Sequence, residues 1–128
     1  MKEITLKIKV NKPVSEVFEF TLDPKNTPRW IDSIELEEVS NWPAGVGTEY
    51  RNKGKDGHWS TYTLVEIKPG KTFVLSKDDN NYKVQYKFIP IDESSCEFEY
   101  HEWVEHGELD DPFEQENLKQ LKEVLESH

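Results

Sequence analysis

Apolar and polar positions alternate cleanly at the start of the chain. Ile4, Leu6, Ile8 and Val10 fall on one side, Thr5, Lys7 and Lys9 on the other, which predicts a half-buried strand. The period then changes. Val14, Val17, Phe18 and Leu22 recur at helical spacing behind Pro13, whose missing N–H costs nothing in a first helical turn. Asp23-Pro24 ends that helix, because a residue before proline avoids the helical region. Thr27-Pro28 opens a second, short helix carrying Trp30 and Ile31. From Ile34 the pattern returns to strands: Ile34 to Val39, Thr48 to Lys53, Trp59 to Ile67, Phe73 to Ser76, then Tyr82 to Phe88 and Cys96 to Tyr100. Asp56-Gly57 is a hairpin signal and Pro69-Gly70 suits the centre of a type II turn. The tail is helical again. Asp111 is the expected N-cap, Pro112 the first helical residue, and Leu118, Leu121 and Leu125 share one face with Val124 at its edge. That helix spans about 14 residues, roughly 20 Å.

Composition narrows the function classes. The chain has 128 residues, and residues 1–128 are expected to form one domain. Hydrophobic residues make up 34% and aromatics 12%, so few but large side chains must fill the interior, which suits a sheet better than a helical bundle. The formal net charge of -10 argues against nucleic acid and against an anionic membrane surface, both of which ask for a basic face. The same charge serves solubility. Cys96 is the single cysteine, so no internal disulfide forms, which fits a reducing compartment. The alternating N-terminus reads as neither a signal peptide nor a membrane span, and a cytoplasmic location is expected.

The order strand, two helices, six strands, helix coincides with residues that resemble a known family. Val14-Ser15-Glu16-Val17-Phe18, followed by Asp23-Pro24 and Trp30, resembles the opening of polyketide-cyclase/dehydrase-like proteins of the SRPBCC (START-like) superfamily. Gly45-Val46-Gly47-Thr48, Val65-Glu66-Ile67-Lys68-Pro69, Tyr86-Lys87-Phe88 and the segment Glu116 to Lys122 resemble later parts of the same proteins, in the same order. The resemblance implies an α+β helix-grip fold, a curved seven-stranded antiparallel sheet around the C-terminal helix, with a cavity between them. It also implies binding of a small hydrophobic or amphipathic ligand. Members of the superfamily bind lipids, sterols, hormones or polyketides; some are cyclases and others assist chaperones, so fold alone does not fix activity. The final helix here is shorter than in many relatives, which bears on how the cavity closes.

If Val65 faces the cavity as the resemblance implies, alternation carries Trp59, Thr61, Thr63 and Ile67 with it. Tyr86 brings Tyr82, Val84 and Phe88; Phe98 brings Cys96, Tyr100 and Glu102. With Phe18, Trp30, Leu118 and Leu121, these form the expected ligand-binding set. The alternative is that they meet and fill the core. Glu102 has two readings. On the inward face, desolvation would make it a proton carrier; at a strand end, past a bulge suggested by Trp103-Val104, it is solvated. Trp42, in a loop, either packs or caps a pocket entrance or a partner surface.

No cofactor or metal is expected. His58, His101, His106 and His128 lack ligand spacing, and His101, Glu105 and His106 make at most a weak metal set. Cys96 reads as a small core residue without a basic partner to activate it. No nucleophile elbow is present, and Gly45-Val46-Gly47 lacks the third glycine and following helix of a dinucleotide loop. Three functions stay open: a small-molecule carrier, a cyclase- or dehydratase-type enzyme using Glu102 or a tyrosine, and a protein-interaction module.

Overall fold

The computed structural model describes residues 1–127; His128 lies outside the described residues. Strand β1 (Lys2–Val10) leads into helix α1 (Val14–Leu22), a 3-10 turn (Pro24–Asn26) and the short helix α2 (Thr27–Trp30). Six strands follow: β2 (Ile34–Val39), β3 (Glu49–Gly54), β4 (Trp59–Lys68), β5 (Thr72–Lys77), β6 (Tyr82–Asp92) and β7 (Ser95–Val104). Helix α3 (Gln115–Glu126) ends the order. The strands form one antiparallel sheet in the order β1-β7-β6-β5-β4-β3-β2. This is the helix-grip architecture.

The turns obey the expected chemistry. Gly57 and Gly70 take φ values of 88° and 74°, which L side chains rarely adopt, and each sits at its hairpin turn. Helix α3 differs from expectation at its start. Asp111 adopts φ 50°, in the left-handed region, whereas an N-cap needs an extended backbone. The cap moves to Glu114, whose side chain and that of Asn117 bond reciprocally to each other's backbone N–H.

Two bulges decide which side chains reach the interior. Pairing of β2 with β3 slips between Ile34 and Leu36, and pairing of β4 with β5 slips between Leu64 and Glu66. Each adds one residue and changes the side on which the later positions stand. In contrast, β7 runs in register with both β1 and β6 through Val104, with no bulge at Trp103-Val104. Cys96, Phe98, Tyr100, Glu102 and Val104 are therefore all buried on one face.

One end of the interior is solid. Val17, Phe18 and Leu22 of α1, Val10, Phe88, Cys96 and Phe98 of the sheet, and Leu118, Leu121 and Leu125 of α3 pack into one cluster. Phe18 meets the rings of Phe73 and Phe88 edge-on at 5.9 and 5.3 Å. Helix α3 also leans on the outer edge of β1. Gln115 Nε2 donates to the Lys7 carbonyl at 2.9 Å and Lys122 Nζ to the Lys9 carbonyl at 2.8 Å.

Candidate functional site

The other end of the interior is hollow. Between α2, β2 and the inner face of β3 to β7 lies a chamber with room of about 90 Å³ for the centre of a water-sized molecule. Its walls are Ile31, Ile34, Phe73, Leu75 and Val84, a ring of tyrosines (Tyr50, Tyr62, Tyr82, Tyr86, Tyr100) and Phe113, with Glu37 as its charged member. Ile31, Ile34, Asn52, Tyr62, Tyr82 and Phe113 also border a wider mouth of about 390 Å³. That mouth is polar, edged by Lys77, Asp79, Glu102, Glu108, Asp110 and Asp111. The arrangement is an aromatic chamber behind an acidic entrance.

Two carboxylates are held in place, Glu37 on the chamber wall and Glu102 at the mouth. Glu102 is 1% exposed. Its Oε2 accepts from the Tyr82 and Tyr100 hydroxyls, the latter at 2.9 Å, and its Oε1 accepts from the Phe113 N–H at 2.9 Å. This fixes the segment before α3 against the sheet, and Phe113 stacks on Tyr100 at 4.3 Å between ring centres. Glu37 lines the chamber from β2. The Thr27 hydroxyl donates to its Oε1 at 2.7 Å and Asn52 Nδ2 to its Oε2 at 3.4 Å. Burial pushes the Glu37 carboxyl up from an ordinary 4.5 to about 7, against the opposing pull of those two neutral donors.

Burial acts on the phenols in the same direction. Burial pushes Tyr62 up to about 12, with negative charge on Glu37 adding to it. Burial likewise raises Tyr50, Tyr82, Tyr86 and Tyr100. They stay protonated at neutral pH and act as hydrogen-bond donors, not bases. Tyr50 spends its donor on the Leu22 carbonyl at 2.8 Å.

The expected ligand-binding set is divided by the structure. Tyr82, Tyr86 and Tyr100 line the chamber. Phe18, Trp30, Phe88, Phe98, Leu118 and Leu121 are buried in the packed core instead. Trp30 touches Tyr86, Phe98 and Phe113 edge-on and so supports the chamber wall from behind. The face assigned to β4 is corrected. Trp59 stacks under the Arg51 guanidinium on the outer side and Val65 is 45% exposed; Thr61 and Thr63 share the alternation of Trp59. Tyr62 and Leu64 are the residues that point inward, and the bulge after Leu64 then restores Ile67 to the inner side. Glu102 faces inward and is not solvated, because no bulge interrupts β7 at Trp103-Val104. Trp42 is 49% exposed and does not pack into the interior.

Glu37 was invisible to simple alternation. Counting by twos from Ile34 sends Leu36 inward and Glu37 outward; the bulge reverses this and leaves Leu36 exposed. The available signal was parity: Val39 does not match Ile34 and Leu36. Phe113 and Tyr62 were missed for related reasons, one assigned to the helix and the other to the outer face. His101 stacks on Trp103 and pairs with Glu3 at 2.9 Å on the outer side. Among the described residues no group of three or more His, Cys, Asp or Glu side chains assembles to hold a metal. Nor is any helix among them long and apolar enough to cross a membrane.

Fold and chamber together define a helix-grip protein. A family model described as "Polyketide cyclase / dehydrase and lipid transport" matches residues 1–126, and the chain belongs to that SRPBCC-type family. No curated protein matches it. Among solved structures it is similar to the protein XoxI from Bacillus cereus, at 14% identity and TM-score 0.79, covering 100% of both chains. It is also similar to the di-domain ARO/CYC protein BexL of the BE-7585A biosynthetic pathway, at 14% identity and TM-score 0.80. There the match covers 98% of this chain and 47% of BexL. A third likeness is to norcoclaurine synthase from Thalictrum flavum, at 14% identity and TM-score 0.69, covering 99% of this chain and 87% of that one. At these identities the likeness establishes the fold alone.

Proposed function

We propose that this protein binds a small, mostly apolar molecule with a polar handle in the chamber between α2 and the sheet. The carrying observation is a hollow walled by aromatic and aliphatic side chains at the same end of the molecule as two fixed carboxylates, while the opposite end is filled. The lipid-transport description of the family and the aromatic ligands named for norcoclaurine synthase, dopamine and hydroxybenzaldehyde, support the same ligand size and character. The single cysteine, Cys96, is buried and unpaired, which suits a reducing cytoplasm.

The test is a thermal-shift screen with small neutral aromatic and aliphatic molecules. Members of the panel raise the melting temperature of the wild type. Leu75→Trp, which fills the chamber from its wall, abolishes the shift. Absence of any shift across the panel overturns the reading.

A second reading, proton transfer of the cyclase or dehydratase kind, is favoured by one observation. Glu102 is a buried carboxylate held between two phenol donors at the border of the mouth. The raised phenols leave the base role to a carboxylate. Turnover of a cyclisable polyketide-like probe that survived in Glu102→Gln combined with Tyr100→Phe would remove this reading.

A further inference from the structure

We infer that the chamber selects ligands carrying an organic ammonium group, and that Glu37 is the residue that recognises it. The inference rests on the binding reading above and deepens it. Three observations converge on it.

Glu37 is the charged member of the chamber wall, and its carboxylate has capacity left. Each oxygen accepts one hydrogen bond, from Thr27 and from Asn52, both neutral donors. A carboxylate oxygen accepts about two, so each has room for a further donor from the chamber. Burial disfavours the ionised form of Glu37, and a cation placed beside it restores that form.

The surrounding wall is aromatic. Tyr62 and Tyr86 line the same chamber as Glu37. Ring faces attract ammonium groups electrostatically, most strongly where water is excluded. A carboxylate backed by aromatic rings suits an organic ammonium. Among the described residues no group of three or more His, Cys, Asp or Glu side chains gathers there to hold a metal ion instead.

The entrance has matching sign. Asp79, Glu108, Asp110 and Asp111 border the mouth against Lys77. Such a field concentrates cations before the chamber and repels anions.

The experiment compares three probes of nearly equal shape by calorimetry at about pH 8, where the amine is charged. The probes are 2-phenylethylamine, 2-phenylethanol and phenylacetate. The expected result is that the amine binds the wild type at least about tenfold more tightly than the alcohol, with phenylacetate weakest. Glu37→Gln, which keeps the shape of the side chain, removes the preference for the amine over the alcohol. Equal or tighter binding of the alcohol to the wild type overturns the inference and leaves the binding reading standing. So does an amine preference that survives Glu37→Gln. If the variant does not fold, the wild-type ranking of the three probes decides alone. Failure of all three to bind ends both the inference and the reading it rests on.

Discussion

The Tyr100 hydroxyl donates to the Glu102 carboxylate at 2.9 Å, two residues along one face of β7. Because Tyr82 and the Phe113 N–H meet the same carboxylate, Glu102 gathers three donors from two strands and the segment before α3. Removing the acceptor leaves all three buried or part-buried without their partner. Glu102→Leu is therefore expected to destabilise by about 2–5 kcal/mol. Glu102→Gln should cost less, since an amide oxygen still accepts. Urea unfolding measures both; a loss under about 1 kcal/mol for the leucine variant would contradict this account.

Glu37 makes stability depend on pH. Its folded value of about 7 lies above an ordinary 4.5, so between those limits the native state holds more protons than the unfolded chain. Its contribution is intact below about pH 4.5 and is lost as pH rises through about 7, about 3 kcal/mol in total. In Glu37→Gln that component is absent. Unfolding free energies of both proteins at about pH 5 and pH 8 isolate it, as the difference between the two pH responses. Identical responses would exclude Glu37 as the source.

The two sides of β4 should respond oppositely to charge. Leu64 is fully buried, and Leu64→Lys should cost more than about 3 kcal/mol or prevent folding. Val65→Lys, on the outer side, should stay within about 0.5–1 kcal/mol of wild type. Thermal melts of the pair read the orientation directly, and the reverse ranking would restore the face expected from alternation.

Leu118 and Leu121 anchor α3 with no exposed surface. Leu121→Ala should lower stability by about 2–5 kcal/mol through lost burial and a new cavity. Because neither residue borders the chamber, the affinity of a bound probe should hold in Leu121→Ala wherever the protein is folded. Loss of affinity in step with stability would move the site toward α3.

Much of the architecture could be read from the chain. β1, β7 and β6 as far as Phe88 keep strict alternation, so Val84, Tyr86, Phe98 and Tyr100 fall on the buried side once the resemblance sets which face is inward. The resemblance supplied the single curved sheet around the C-terminal helix. The site was less legible, and the reason is local. A bulge is one extra residue with little compositional mark, yet it exchanges the two faces of everything beyond it. In β2 this brought Glu37 inward, and in β4 it makes Leu64 and Ile67, three apart, share a side. The start of α3 misled for another reason. Asp111-Pro112 carries the composition of a helix start, but the backbone at Asp111 turns left-handed and brings the next residues under the sheet, where Phe113 meets Glu102.

The side chains that α3 lays on the Lys7 and Lys9 carbonyls have a bearing on how copies of this protein can meet. An open strand margin invites a neighbour to extend the sheet, and a row of free carbonyls is the template for it. Gln115 and Lys122 occupy that template on β1, so a foreign strand must first lift the terminal helix away. Sheet-to-sheet growth would then be left to the far margin at β2, and fibre-like stacking through both margins would require partial unfolding.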